Sequence, residues 1–268
     1  TDTVIYLRGG VYSYSDFGAL KNIVSDEKMP LYISAYNNEK VTFNGGNVIK
    51  GDLFKNISDE KALETLNPDA RKKVMSINLK KLGITDYGTF TTDSIPTLSV
   101  DGEDYDAARW PNADTTSMRE YLGDDGENGV IDSGPITTGV GSVAGPRRDV
   151  GKYGEKGFEI CVENIRPFSW KNTDNIWMYG SFYQEWTKDR VRIKSLNADK
   201  RSVRTYTGQS WGAIYDTGNK FYYYNIFEEL DCPGEWFLDY DTGMLYVYPS
   251  ADLKGKDVIL SSSADGIA

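Results

Sequence analysis

The chain contains no histidine in 268 residues. Without an imidazole, this segment holds no Ser-His triad, no histidine general base and no histidine-ligated metal, whatever its fold. Cysteine is nearly absent too, with only Cys161 and Cys232. Two thiols cannot make a disulfide framework or a zinc site of cysteines alone. They allow one bridge or two free thiols; Cys161 sits in the apolar run Phe158–Val162, where a buried free thiol is as natural as a bridged one. Positive charge is in deficit: 30 Lys+Arg stand against 40 Asp+Glu, a formal net charge of -10. That balance argues against nucleic acid or an anionic membrane as the main partner, because both reward clustered cations. No apolar run approaches the roughly 18 residues of a membrane span, and no signal-peptide pattern opens the chain. The glycine-rich stretch 139–151 lacks the closing Gly-Lys-Ser/Thr of a phosphate loop.

What the chain has in abundance is aromatic and turn chemistry, with 13% aromatics, 19 Tyr and 27 Gly. Short apolar runs bounded by Gly, Asn, Asp and Pro are the pattern of a mainly β protein. Val4–Leu7, Leu31–Ala35 and Val41–Asn44 read as short strands, and the spacing of Ile5, Ile33 and Phe43 suits successive coils of a β-solenoid. Ser58–Lys61 opens a short helix with Ser58 or Asp59 as N-cap, and Pro68–Lys73 reads as a second helical turn. Further strands are expected at Val74–Leu79, Thr97–Val100, Phe158–Val162, Ile176–Tyr179, Val191–Leu196, Ser202–Tyr206 and Tyr222–Phe227. Residues 113–157 read as loop.

The most specific segment is Phe227–Pro249. Apolar runs at Trp236–Leu238 and Met244–Tyr248 flank Asp239-Tyr240-Asp241-Thr242-Gly243, which marks a tight β-hairpin. Cys232-Pro233-Gly234 turns the chain just before it, after the charged corner Glu228-Glu229-Leu230-Asp231. The strand pattern returns at Val258–Leu260. Both ends of the chain read as cut from something longer. The boundaries expected are 1–50 for the first solenoid coils, 51–256 for a large inserted β domain and 257–268 for the return to the solenoid.

These segments resemble, in order and spacing, the bacterial parallel β-helix glycoside hydrolases of family 141 and their relatives. The resemblance rests on Ile5–Tyr12, Ile33–Tyr36 with Val41–Gly46, Val74–Gly88, Ala108-Arg109-Trp110-Pro111-Asn112 and Phe227–Pro249. It covers nearly the whole chain. It implies the start of a right-handed parallel β-helix carrying a large inserted domain, barrel- or sandwich-like, with one or two short helices. It also implies a secreted or cell-surface bacterial protein, a monomer, acting on a carbohydrate polymer, with its catalytic carboxylates beyond Ala268 and none within this segment. The chain departs from the family at Gly180–Trp186, where relatives more often have Gly-Tyr-Trp. The alternative is a non-catalytic carbohydrate-binding or adhesive surface module.

The substrate-binding candidates are Arg109, Trp110, Asn112, Trp211, Glu228 and Glu229. An indole face stacks on a pyranose while Arg and Asn bond its hydroxyls; equally, Arg109–Asn112 suits a structural corner with Trp110 in the core. Trp211 lies among loop residues, whereas Trp177 and Trp236 fall inside strand patterns and read as core. The hairpin carboxylates serve as turn formers and ion-pair partners unless two of them face each other across a glycosidic bond. No cofactor is expected beyond calcium, for which Asp124-Asp125-Gly126-Glu127-Asn128 supplies clustered oxygens without the EF-hand spacing.

Overall fold

A computed structural model describes residues 3–13, 30–125, 131–132, 157–182, 185–208 and 220–261. In chain order the strands are β1 (Thr3–Leu7), β2 (Gly10–Ser13), β3 (Leu31–Ala35), β4 (Val41–Asn44), β5 (Gly46–Lys50), β6 (Lys55–Asn56) and β7 (Met75–Asn78). There follow β8 (Thr97–Val100), β9 (Glu103–Ala107), β10 (Arg109–Trp110), β11 (Met118–Asp125), β12 (Ile131–Asp132), β13 (Phe158–Val162) and β14 (Trp177–Gly180). The last are β15 (Asp189–Asn197), β16 (Ser202–Thr205), β17 (Phe221–Tyr224), β18 (Glu235–Asp239), β19 (Met244–Tyr248) and β20 (Asp257–Ser261).

Among the described residues these form two eight-stranded sheets and two small parallel pairs. Sheet A runs β5-β20-β8-β9-β18-β19-β7-β6, and sheet B runs β10-β17-β14-β15-β16-β13-β11-β12. Every pairing in them is antiparallel except β9 with β18. The expected parallel β-helix is therefore not shown; the parallel pairs are β1 with β3 and β2 with β4. Sheet A also runs continuously across both expected boundaries, because β20 lies between β5 and β8.

The hairpin forms where the sequence places it. Glu235 faces Tyr248 and Asp239 faces Met244. The Asp239 carboxylate accepts from the Asp241 and Thr242 amides and from the Thr242 hydroxyl, closing the turn. Gly243 completes it at φ 72°, a left-handed conformation costly for any other residue. The N-cap is Asp59: its carboxylate accepts from the Ala62 amide at 2.7 Å and opens α1 (Glu60–Thr65). Pro68–Lys73 forms successive turns instead of a second helix. Residues 118–125, expected as loop, form a strand along β13.

Three apolar clusters organise the interior. Leu98, Val100, Trp236, Leu238, Leu245, Val247, Val258 and Leu260 of sheet A pack on Trp177 and Tyr224 of sheet B. On its other side, Tyr246 and Tyr248 of sheet A pack with Ala62 of α1 and with Leu66, Val74 and Leu230. Sheet B encloses a core of its own, including Phe158, Ile160, Met178, Val191, Ile193, Val203 and Phe221. Phe158 on β13 and Phe221 on β17 lie four strands apart, roughly 19 Å in a flat sheet. Both nonetheless stack on Phe182, at 5.3 and 5.4 Å between ring centroids. Sheet B must therefore curl around its core. Cys161 is buried, Cys232 half-buried, and both are free thiols.

Candidate functional site

The chain passes from sheet A to sheet B at Ala108, which is fully buried. The Ala108 amide donates to Trp236 of β18, and its carbonyl accepts from Ile226 just beyond β17. Arg109 and Trp110 then pair with Tyr224 and Tyr223, and a cis Trp110–Pro111 peptide turns the chain away. This crossing brings Arg109, Trp110 and Asn112 against the corner at Phe227–Pro233.

The corner is a hydrogen-bonded clasp. Glu229 is 1% exposed. Its carboxylate accepts from Arg166 Nε at 2.6 Å, Arg166 Nη2 at 3.0 Å and the Trp170 indole at 2.5 Å. The fork geometry and the buried partner raise the Arg166 pKa above its ordinary value. Glu228 accepts from the Lys171 amide at 2.8 Å. Asn112 donates to Asp231 at 2.9 Å. Trp110 packs on Trp170 and Tyr223, at 6.5 and 6.0 Å between centroids.

Glu235, not among the expected site residues, is 4% exposed and lies under the same corner. It accepts the amides of Arg109 (3.3 Å), Asp231 (3.2 Å) and Cys232 (3.0 Å). Burial pushes its pKa up to about 7, with those three amides pulling the other way. Burial, with Glu235 and Asp231 nearby, raises the Cys232 thiol pKa, so this is not an activated nucleophile. Both Glu229 oxygens and both Glu235 oxygens are committed to protein donors. The corner therefore holds two strands and a turn in register and offers no free carboxylate from these two residues.

Beside the clasp lies a row that the sequence did not reveal. Register places Arg190, Tyr179 and Tyr222 directly opposite one another on β15, β14 and β17. The adjacent row on the same face is Arg192, Trp177, Tyr224 and Arg109. The second row is covered in its middle by sheet A, since Trp177 and Tyr224 are buried. In the first, Tyr179 and Tyr222 stay half-buried at the margin of that contact. The Arg109 guanidinium lies 3.6 Å from the Tyr222 centroid, and that of Arg190 lies 4.8 Å from the Tyr179 centroid. The two tyrosines meet edge to face at 5.7 Å. Beyond, Arg192 and Lys194 both approach the exposed Tyr206 ring, at 5.2 and 5.9 Å. The β14–β15 connection at one end of the row carries Trp186, 69% exposed. Cations on the faces of half-buried tyrosines and an exposed indole suit a polar, hydroxyl-bearing ligand.

Five of the six residues singled out from sequence thus meet around one corner: Arg109, Trp110, Asn112, Glu228 and Glu229. Trp211 lies outside the described residues, as do the side chains of Asp124 and Asp125 and all of Gly126–Asn128, the calcium candidate. Among the described residues no group of three acidic or sulfur side chains is arranged to hold a metal, and no helix is long and apolar enough to cross a membrane.

No protein-family model matches the chain, and no curated protein matches it. A solved structure titled "Glycoside hydrolase" does, with a TM-score of 0.56 at 20% identity, over 96% of this chain and 38% of that one. The chain folds like part of a glycoside hydrolase. At this identity the likeness is one of fold, and the chain spans about two-fifths of the length of the structure it matches.

Proposed function

We propose that this chain is the cleft-walling part of a secreted, polysaccharide-degrading glycoside hydrolase, bacterial and related to family 141. The observation that carries this is the fold likeness to a glycoside hydrolase across nearly the whole chain. The parallel register of β1 with β3 and β2 with β4 supports a parallel β-helix that begins there. So does the exposed apolar strip Val4, Ile5, Tyr6, Val11, Tyr32, Ile33 and Phe43, the kind of surface one solenoid coil buries against the next. In this reading the ligand lies along Tyr179, Tyr222 and Arg109, and Trp110, Asn112 and Glu229 hold that row in place. The catalytic carboxylates come from outside this segment, and no cofactor beyond a calcium ion at Asp124–Asn128 is called for.

A second reading, a non-catalytic carbohydrate-binding module, is favoured by one observation. The buried carboxylates at the clasp, Glu229 and Glu235, are engaged by protein donors. Calorimetric titration with neutral and acidic oligosaccharides, followed by product analysis, tests both readings. Binding without turnover by this segment is the expected result. Turnover abolished by Glu229→Gln contradicts the placement of the catalytic groups outside it. The absence of any saccharide binding contradicts both readings.

A further inference from the structure

We propose that the row Arg190–Tyr179–Tyr222–Arg109 is a subsite for an acidic sugar, a uronate within a glycan chain. This rests on the carbohydrate reading above and adds the chemical class of the ligand. The first observation is a local reversal of charge. In a chain of net charge -10, Arg190, Arg192 and Lys194 alternate along β15, and Arg109 joins them across the sheet. Val191 and Ile193, the intervening residues, face the core and are 0% and 2% exposed. The cations therefore share the opposite face.

The second observation is what the guanidiniums of Arg109, Arg190 and Arg192 lack. Arg109 donates to the carbonyls of Pro111 and Asp114, and Arg192 to the carbonyl of Asp174. Arg190 rests on Tyr179 and interacts with the buried Tyr224 hydroxyl. Among the described residues, none of the three guanidiniums forms an ion pair with a carboxylate. Asp106 on β9 is within electrostatic reach of Tyr222, and Arg109 acts on that hydroxyl more strongly.

The third observation is position. Arg190 and Arg109 lie over the Tyr179 and Tyr222 rings, and Arg109 bonds Pro111 and Asp114 through Nε and Nη2 alone; the remaining guanidinium donors suit a carboxylate. Contacts of 4.8, 5.7 and 3.6 Å link Arg190 through Tyr179 and Tyr222 to Arg109. Two cationic ends are thus joined by two half-buried tyrosines. Exposed Trp186 lies in the β14–β15 connection, beyond the Gly180–Asp189 pair that follows Tyr179 and Arg190. Nucleic acid offers the same anionic and stacking chemistry, but the charge of the whole chain opposes it.

The test is calorimetric titration of the full chain with an oligogalacturonate, a neutral xylo-oligosaccharide, a sulfated heparin oligosaccharide and single-stranded DNA. The expected result is tightest binding to oligogalacturonate, weakened as salt rises from 50 to 300 mM and the Debye length shortens from about 14 Å to about 6 Å. Arg190→Ala should weaken that binding about tenfold or more and leave the xylo-oligosaccharide unchanged. Arg190→Lys, which keeps the charge and loses the fork, should fall between. An unchanged circular dichroism spectrum and melting temperature show that each variant is folded. Equal binding of neutral and acidic sugars, with no effect of Arg190→Ala, overturns the acidic preference and leaves the carbohydrate reading standing. Preference for the sulfated sugar or for DNA also overturns it. Binding of no saccharide at all overturns both.

Discussion

Glu229 is the residue whose removal this structure predicts most sharply. Glu229→Ala deletes three hydrogen bonds to one carboxylate: two from Arg166 and one from the Trp170 indole. The two donors fare differently. The Arg166 side chain is 43% exposed and can rehydrate, which limits the cost of losing its partner. Trp170 is 6% exposed, so its N–H is left buried without an acceptor, at about 1–3 kcal/mol. Adding the lost charge-assisted fork, and staying below the 3–5 kcal/mol seen when fully buried pairs are broken, gives about 3 kcal/mol in total. That is a large share of the 5–15 kcal/mol typical of a folded domain. Urea unfolding followed by tryptophan fluorescence measures it directly. Glu229→Gln keeps an acceptor for the indole but sets an amide against Arg166, so it should lose less than Glu229→Ala. A Glu229→Ala variant within 1 kcal/mol of wild type would refute the clasp as a stabilising feature and return Glu229 to the list of ligand contacts.

Three further outcomes follow from the same structure. Glu235 has a folded pKa raised to about 7 against an ordinary 4.5, so folding favours its protonated form. Its contribution is fully present below about pH 4.5 and lost as pH rises through 7, at most about 3 kcal/mol. Urea midpoints at pH 5 and pH 8 should show that fall, and Glu235→Gln should flatten it. Asp59→Ala removes the cap of α1 and should cost about 1 kcal/mol, read from the same unfolding curves. Gly51→Ala drives a methyl group into the Leu253 backbone carbonyl and should cost about 1–3 kcal/mol, with a lowered melting temperature.

Local chemistry made part of this legible beforehand. The Phe227–Pro249 hairpin was readable because alternation, an Asp-rich turn and Gly243 are all encoded within a few residues of each other. Asp59 was readable for the same reason. The strand at Met118–Asp125 was not, because Asp, Glu and Gly are poor strand formers. Its register comes from β13, some forty residues on in the sequence. The solenoid reading rested on spacing and on the family resemblance; the strands it named pair in parallel, β1 with β3 and β2 with β4, whereas antiparallel order dominates the two large sheets.

The site divided along the same line. Arg109, Trp110, Asn112, Glu228 and Glu229 were visible as two compact, unusual segments, and the fold brings those segments together. Their roles were not visible, because the partners of Glu229 are Arg166 and Trp170 on a different loop. The Arg190–Tyr179–Tyr222 row was hidden more completely. Each member is ordinary in its own strand, and only the pairing of three strands lines them up. The alternation Arg190-Val191-Arg192 beside Tyr222-Tyr223-Tyr224 was the one available signal.

The most direct measurement is amide and side-chain chemical-shift mapping during titration with a short oligosaccharide. Sugar lying along the exposed margin of sheet B predicts saturable shifts at Tyr179, Tyr222, Arg190, Arg109 and Trp186, with the Glu229 clasp quiet. Shifts centred on Glu228, Glu229 and Asp231, or no saturable shifts with any saccharide, would contradict it.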